Sequence, residues 1–178
     1  MPEWLLDRRH GIYSRDGLIP NVCFRPIADI RRSCDFTAMP LRNSELVNLR
    51  SVERRALELA NRISAPHGTL PVFGRNLAVD GTSVQVTDAY HYIVEERGSE
   101  RERRTTSDLD ELLYWVFSSA TFSMACEWEL RHRRDGEDFR RQLFARQVEL
   151  LGALSPDWAS REAKRHHQIL EQYPFRDS

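Results

Sequence analysis

Glu129 and His132 stand three residues apart in WELRHRR, the spacing that places both side chains on one helix face and, in two copies with two further carboxylates, ligates paired iron ions in helical bundles. The other acid–histidine pairs, Glu162 with His166 and His167 with Glu171, are four apart, which suits ion pairs along a helix surface better than a metal site. His166 and His167 are adjacent and diverge by about 100° on a helix; both are expected in solvent, and no metal site is expected. Cys126 could act as a nucleophile only if His132 or His91 lowered its pKa, and its apolar helical surroundings favour an inert thiol. G-x-S-x-G, a phosphate-cradling glycine loop and H-E-x-x-H are all missing, so no enzyme and no cofactor is expected.

Charge narrows the partner classes. The 26 Lys+Arg and 27 Asp+Glu leave a net charge of −1, which gives no bulk excess to neutralise phosphates or hold an anionic membrane. All basic residues but Lys164 are Arg, a skew that coding bias produces without selection for guanidinium chemistry. A small nucleic-acid-binding regulatory protein, using Arg101, Arg103, Arg104 and the Arg131 to Arg141 segment, is the alternative reading, and near-neutrality argues against it. In EWELRHRRDGEDFRRQ the acids Glu127, Glu129, Asp135, Glu137 and Asp138 offset the bases, a mixed-sign surface suited to a protein partner. Cys23, Cys34 and Cys126 make an odd set without zinc-ligand spacing, consistent with a reducing cytoplasm. No apolar stretch approaches the roughly 20 residues of a membrane span, and the charged N-terminus does not resemble a signal peptide.

The elements that must position these groups can be read from periodicity and punctuation. Residues 1–38 alternate charges, glycines and prolines, so they predict a disordered extension or a start codon placed too far upstream, with Met39 the favoured start of a domain over 39–178. Leu46, Leu49, Val52, Ala56, Leu59 and Ile63 predict an amphipathic helix from Ser44 to Ile63, capped by Ser44 or Asn43. LPVF, NLAV and SVQV predict short strands, with Asp80-Gly81 suited to a hairpin turn. Ala89 to Glu96 predicts a longer strand with Tyr90, Tyr92 and Val94 on the core face and His91, Ile93 and Glu95 on the other, with His91, Glu95 and, beyond them, Arg97 expected exposed. A turn at Arg97-Gly98-Ser99 leads to a charged edge strand, ERERRTT. Ser107 is the expected cap of a helix that continues or kinks near Thr121 and stops at Asp135-Gly136. Glu137 to Leu154 predicts the next helix, and Ser155-Pro156 starts a last one that ends before Pro174. The fold class expected is α+β: an N-terminal helix, a small antiparallel β-meander or hairpin sheet, and a C-terminal helical bundle.

DAYHYIVEERG, TSDLDELLYWVF, TFSMACEWELRHRRDGEDFRRQLFARQVELLGALSPDW and ILEQYPFRD, in this order from Asp88 to Asp177, resemble the immunity protein 63 family of bacterial polymorphic toxin systems. The resemblance implies a cytoplasmic, non-catalytic α+β protein that binds a cognate toxin domain encoded by a neighbouring gene and so protects the producing cell. A nuclease toxin is commonly basic around its active site, so acidic groups are candidate contacts. The candidate toxin-binding set is His91, Glu95, Arg97, Asp108, Asp110, Glu111, Glu127, Glu129, His132 and Arg140.

Overall fold

Asn48 sets where the first long helix begins. Its side-chain oxygen accepts from the Ser51 N–H at 3.0 Å, satisfying one of the donors that a helix start leaves free, and α1 runs Leu49–Arg62. This is later than the sequence predicted, because Leu46 and Val47 are drawn to the sheet: the Val47 N–H donates to the Tyr90 hydroxyl at 2.8 Å. Ser44, Asn43 and Met39 lie outside the described residues, which in this computed structural model are 5–7, 11–13, 46–75 and 80–177.

The chain divides into two compact units, Met1–Arg42 and Asn43–Ser178. In the first, β1 (Leu5–Asp7) and β2 (Gly11–Tyr13) pair antiparallel with Leu6 opposite Ile12. Each strand is three residues long, too short for alternation to register as a pattern in the sequence.

In the second unit β3 (Val72–Phe73), β4 (Gly81–Val86), β5 (Tyr90–Glu96) and β6 (Ser99–Thr106) form one sheet in that order. The β4–β5–β6 part is antiparallel, as predicted, but β3 lies parallel to β4, so the sheet is mixed and not a pure meander. After β3, Gly74 takes φ 118°, a conformation that favours glycine, and its N–H donates to the Val84 carbonyl at 2.8 Å. Gly81, at φ 139°, opens β4, whose antiparallel partner is β5 and not the LPVF strand. The predicted NLAV strand falls on residues 76–79, outside those described. The β5–β6 turn sits where the sequence places it. Arg97 and Gly98 both have positive φ, 53° and 73°, the pairing a tight hairpin demands, and the Arg97 N–H is held by Asp80 Oδ1 at 2.5 Å.

One helix, α2 (Leu109–His132), passes Thr121 without interruption. Its cap is Asp108, one residue beyond the predicted Ser107. Asp108 Oδ1 accepts from the Asp110 N–H at 2.9 Å while the Asp108 N–H donates to Thr106 Oγ1 at 3.0 Å, so the pull of the preceding strand selects which residue caps. The sheet packs Val84, Tyr90 and Tyr92 against α2, whose Leu112, Leu113, Val116, Phe117 and Ala120 join the same core. α3 (Arg140–Leu154) and α4 (Pro156–Gln172) follow as antiparallel neighbours across short links. α3 starts three residues after the predicted Glu137, because Asp138 Oδ1 accepts the Arg140 N–H at 3.0 Å. Ser155-Pro156 starts α4 as expected, with Pro156 in the first turn, where its missing N–H costs nothing.

Trp158 from α4 closes the core. Its ring stacks on Phe117 at 6.0 Å between centroids and meets Tyr114 edge-on at 6.4 Å, while its indole N–H donates to Asp110 Oδ2 at 3.0 Å. The apolar body and the polar tip are both satisfied. Phe117→Ala is expected to destabilise the protein by about 3 to 5 kcal/mol, measured by denaturant unfolding; a loss under about 1 kcal/mol would show that the α2–α4 contact is not the centre of the core.

Candidate functional site

The candidate contacts distribute over three regions. Asp108 caps α2 and Asp110 and Glu111 lie in its first turn, and α4 reaches two of the three: Trp158 binds Asp110, and Arg161 forms a two-pronged ion pair with Glu111. Hydrogen bonding from Arg161 holds the Glu111 carboxyl below its usual range, against the opposing effect of partial burial. Glu127, Glu129 and His132 lie at the other end of α2, some 16 residues and so about 24 Å further along the axis. The acids therefore do not make one patch.

His91, Glu95 and Arg97 belong to β5 and its turn. Glu95 is half-buried and Arg97 exposed. His91 is not exposed as predicted: its ring lies between Thr87 Oγ1 and Thr105 Oγ1, at 2.8 and 3.0 Å, because the register sets Thr105 directly opposite on β6. Tyr90 and Tyr92 are buried on the helix-facing side, as the alternation predicts.

Glu129 is only 2% exposed, and Arg133 pairs with it through two hydrogen bonds of 2.8 Å, so its carboxylate has almost no surface to offer a partner. Its neighbour Glu127 is open, with a side chain 60% exposed beside Arg131. His132 stacks on Trp128 at 4.3 Å, and its Nδ1 lies 2.8 Å from the Trp128 carbonyl; a carbonyl only accepts, so the proton sits on Nδ1.

Arg140 is committed inside the chain. It holds Asp138 and donates to the Tyr173 and Pro174 carbonyls, both at 2.9 Å. Arg141 grips Asp177 at 2.7 and 3.0 Å, and Phe175 lies under the Arg141 guanidinium at 4.1 Å. The Arg176 N–H donates to Asp138 Oδ2 at 2.8 Å. The terminal YPFRD segment is thereby clamped over the start of α3. Burial opposes ionisation of Asp138, but the Arg140 guanidinium and the Arg176 and Arg140 N–H groups bring its pKa down to about 2. Arg141 and the Asp138 N–H do the same for Asp177, also to about 2.

A second polar cluster was misplaced by sequence reasoning, which put the Glu162–His166 pair on the surface. Both are buried, because they continue the four-residue row begun by Trp158 on the inner face of α4. Tyr114 and Ser118 donate to Glu162 Oε2 at 2.8 and 3.1 Å, and Arg165 donates to Oε1 at 2.5 and 2.8 Å. His166 Nε2 lies 3.1 Å from Gln147 Oε1 and 3.2 Å from Glu162 Oε1; both are acceptors, so Nε2 carries a proton. Phe144 stacks on the His166 ring at 3.9 Å, and the Gln147 amide donates to the Ser118 carbonyl at 3.1 Å. Burial alone would raise the Glu162 pKa; the His166 hydrogen bond, the Arg165 charge and the Tyr114 hydroxyl bring it down to about 2. Burial and the Glu162 carboxylate push Tyr114 up to about 12. His167, by contrast, is exposed and pairs with Glu171 at 3.4 Å, as predicted for both pairs. Among the described residues no group of three or more His, Cys, Asp or Glu side chains is arranged to hold a metal ion.

A shallow cleft of about 390 Å³ lies between the end of α2 and α3, walled by Trp128, Arg134, Glu137, Gln142, Ala145 and Glu149 with Arg141 and Arg146. Sequence reasoning passed over Gln142, since an amide in a helix carries no spacing signal. Arg101, Arg103 and Arg104, the bases of the nucleic-acid alternative, are each paired with a glutamate, Glu96, Glu100 and Glu102.

A folded-state pKa of about 2 against an ordinary 4.5 means that the stability contributed by ionised Glu162 is complete above about pH 4.5 and is lost as pH falls through about 2. Glu162→Gln is expected to lower the melting temperature at pH 7 and to flatten its decline between pH 4.5 and 2, read by thermal scans across that range. An unchanged acid slope would show that the cluster does not carry this linkage.

No helix among the described residues is long and apolar enough to cross a membrane. No curated protein and no solved structure matches the chain. Residues 87–168, from the β4–β5 turn into α4, match the family model of Immunity protein 63, the family that the sequence resembles.

Proposed function

We propose that the chain is an immunity protein that binds a cognate toxin domain, encoded by a neighbouring gene, in the bacterial cytoplasm and neutralises it by stoichiometric protein–protein association. The observation that carries the reading is the Immunity protein 63 match over residues 87–168, which takes in β5, β6, α2, α3 and most of α4. The chemistry of the surface supports it. Among the described residues Arg101, Arg103, Arg104 and Arg133 are each paired with a glutamate, which gives these regions a mixed-sign exterior suited to protein recognition more than to phosphates.

Within this reading the accessible candidate contacts are Glu95 and Arg97 at the β5–β6 hairpin, Asp108 and Asp110 at the start of α2, and Glu127 and His132 at its outer end. Charges at a protein interface chiefly steer encounter and fix register. Co-expression of the toxin domain with the full chain is expected to restore growth, and a purified complex to have fixed stoichiometry. Glu95→Ala and Glu127→Ala are each expected to weaken protection while leaving the melting temperature within a few degrees, read as survival at native expression alongside a thermal scan. Full protection by both variants would reject these positions.

A further inference from the structure

The segment that follows α4 is held outside the apolar core. Tyr173, Pro174, Arg176 and Asp177 are exposed, Phe175 is half-buried, and none of them belongs to the core cluster. The α2–α3 link that they meet is equally bare: residues 133–137 are all exposed, and the first buried residue after α2 is Asp138, at 8%. Two exposed segments joined by polar bonds belong to the part of a protein that opens locally while its core stays folded. The bonds are of two kinds. Arg140 takes the Tyr173 and Pro174 carbonyls, both at 2.9 Å, and Asp138 Oδ2 accepts the Arg176 N–H at 2.8 Å; these are main-chain groups that almost any sequence offers. Among the described residues, side chains of the segment are read at two positions. The Phe175 ring lies 4.1 Å from the Arg141 guanidinium, and the Asp177 carboxylate accepts from Arg141 at 2.7 and 3.0 Å and from the Asp138 N–H at 3.0 Å.

We infer that Asp138, Arg140 and Arg141 form a notch for a short non-helical peptide segment carrying an aromatic residue and, two positions later, a carboxylate, and that the chain's own Tyr173–Asp177 fills it as a displaceable strap. The chemistry of the resident segment defines the ligand class. A guanidinium settles on an aromatic face and makes two parallel bonds to a carboxylate. Arg141 serves both side chains at once because alternate residues of a non-helical segment fall on the same side. A basic residue in place of Asp177 would set cation against cation. With the strap seated, Asp138 is bonded to it through both its N–H and its carboxylate, and the link is pinned at its one buried residue. With the strap displaced, Asp138 keeps Arg140 and loses the bonds to Arg176 and Asp177, so strap and link are released together.

Two measurements on the full chain test this. In native-state amide exchange the Asp138 and Arg176 N–H groups are expected to share one protection factor, at least about a hundredfold below that of the Phe117 N–H in the core. Protection equal to that of Phe117, or unequal protection of the two, would show that the strap does not open as a unit and overturn its displaceability. The second measurement is binding of a dye-labelled peptide of residues 172–178, read by fluorescence anisotropy. The unaltered chain carries a tethered competitor at an effective concentration of about a millimolar. Phe175→Ala with Asp177→Ala removes that competitor and leaves Asp138, Arg140 and Arg141 in place. This doubly altered chain is expected to bind the peptide at least about tenfold more tightly than the unaltered chain, with a melting temperature within a few degrees. Adding Arg141→Ala, or replacing the peptide's aspartate by asparagine, is expected to abolish the gain. A doubly altered chain that binds no better than the unaltered one, or a gain that survives Arg141→Ala, would overturn the notch.

Discussion

A carboxylate with no exposed surface, Glu162, sits where α2, α3 and α4 meet, and the helical part of the protein is organised around keeping it paired. An unpaired buried charge would cost several kcal/mol, so the hydroxyls of Tyr114 and Ser118 must come from α2 while Arg165 and His166 come from α4 itself. Gln147 of α3 then has to meet His166. Apolar packing alone would let these helices slide along one another. The cluster and the Trp158 indole bond to Asp110 fix their register, and that register sets which groups appear on the outside.

The same requirement explains the quiet chemistry of the surface. Arginine is abundant here, yet the arginines of the α2–α3 end are answered by carboxylates close in the chain or by the clamped C-terminal segment. A planar guanidinium makes two parallel bonds to a carboxylate, and those bonds hold the α2–α3 link and the terminal YPFRD in one arrangement. The arginines that first suggest nucleic-acid binding at the α2–α3 end are thus engaged within the chain.

Several residues show how far local sequence reached. Ser155-Pro156, Arg97-Gly98 and the Tyr90–Tyr92 alternation were legible because each is a short-range matter: a proline that needs a first turn, a hairpin that needs positive φ, a strand whose period is two. Asp108 displaced Ser107 as a cap through a bond to Thr106 at the end of a strand, a contest between neighbours that residue preference alone does not resolve. His91, read as exposed, is sheltered by Thr105 from the next strand. Glu129 and Arg140, read as contacts, are absorbed by partners whose closeness depends on how helix ends and the terminus meet.

By itself the sequence determined the α+β class, the helical second half, the principal turns and the family pattern, because periodicity, caps and glycine or proline constraints act over a few residues. The tertiary structure decided that β3 runs parallel to β4, that Glu162 and His166 face inward, and that the terminal segment lies over the start of α3. Burial of a polar side chain depends on which distant surface covers it, and spacing along one helix specifies the face but not its neighbour.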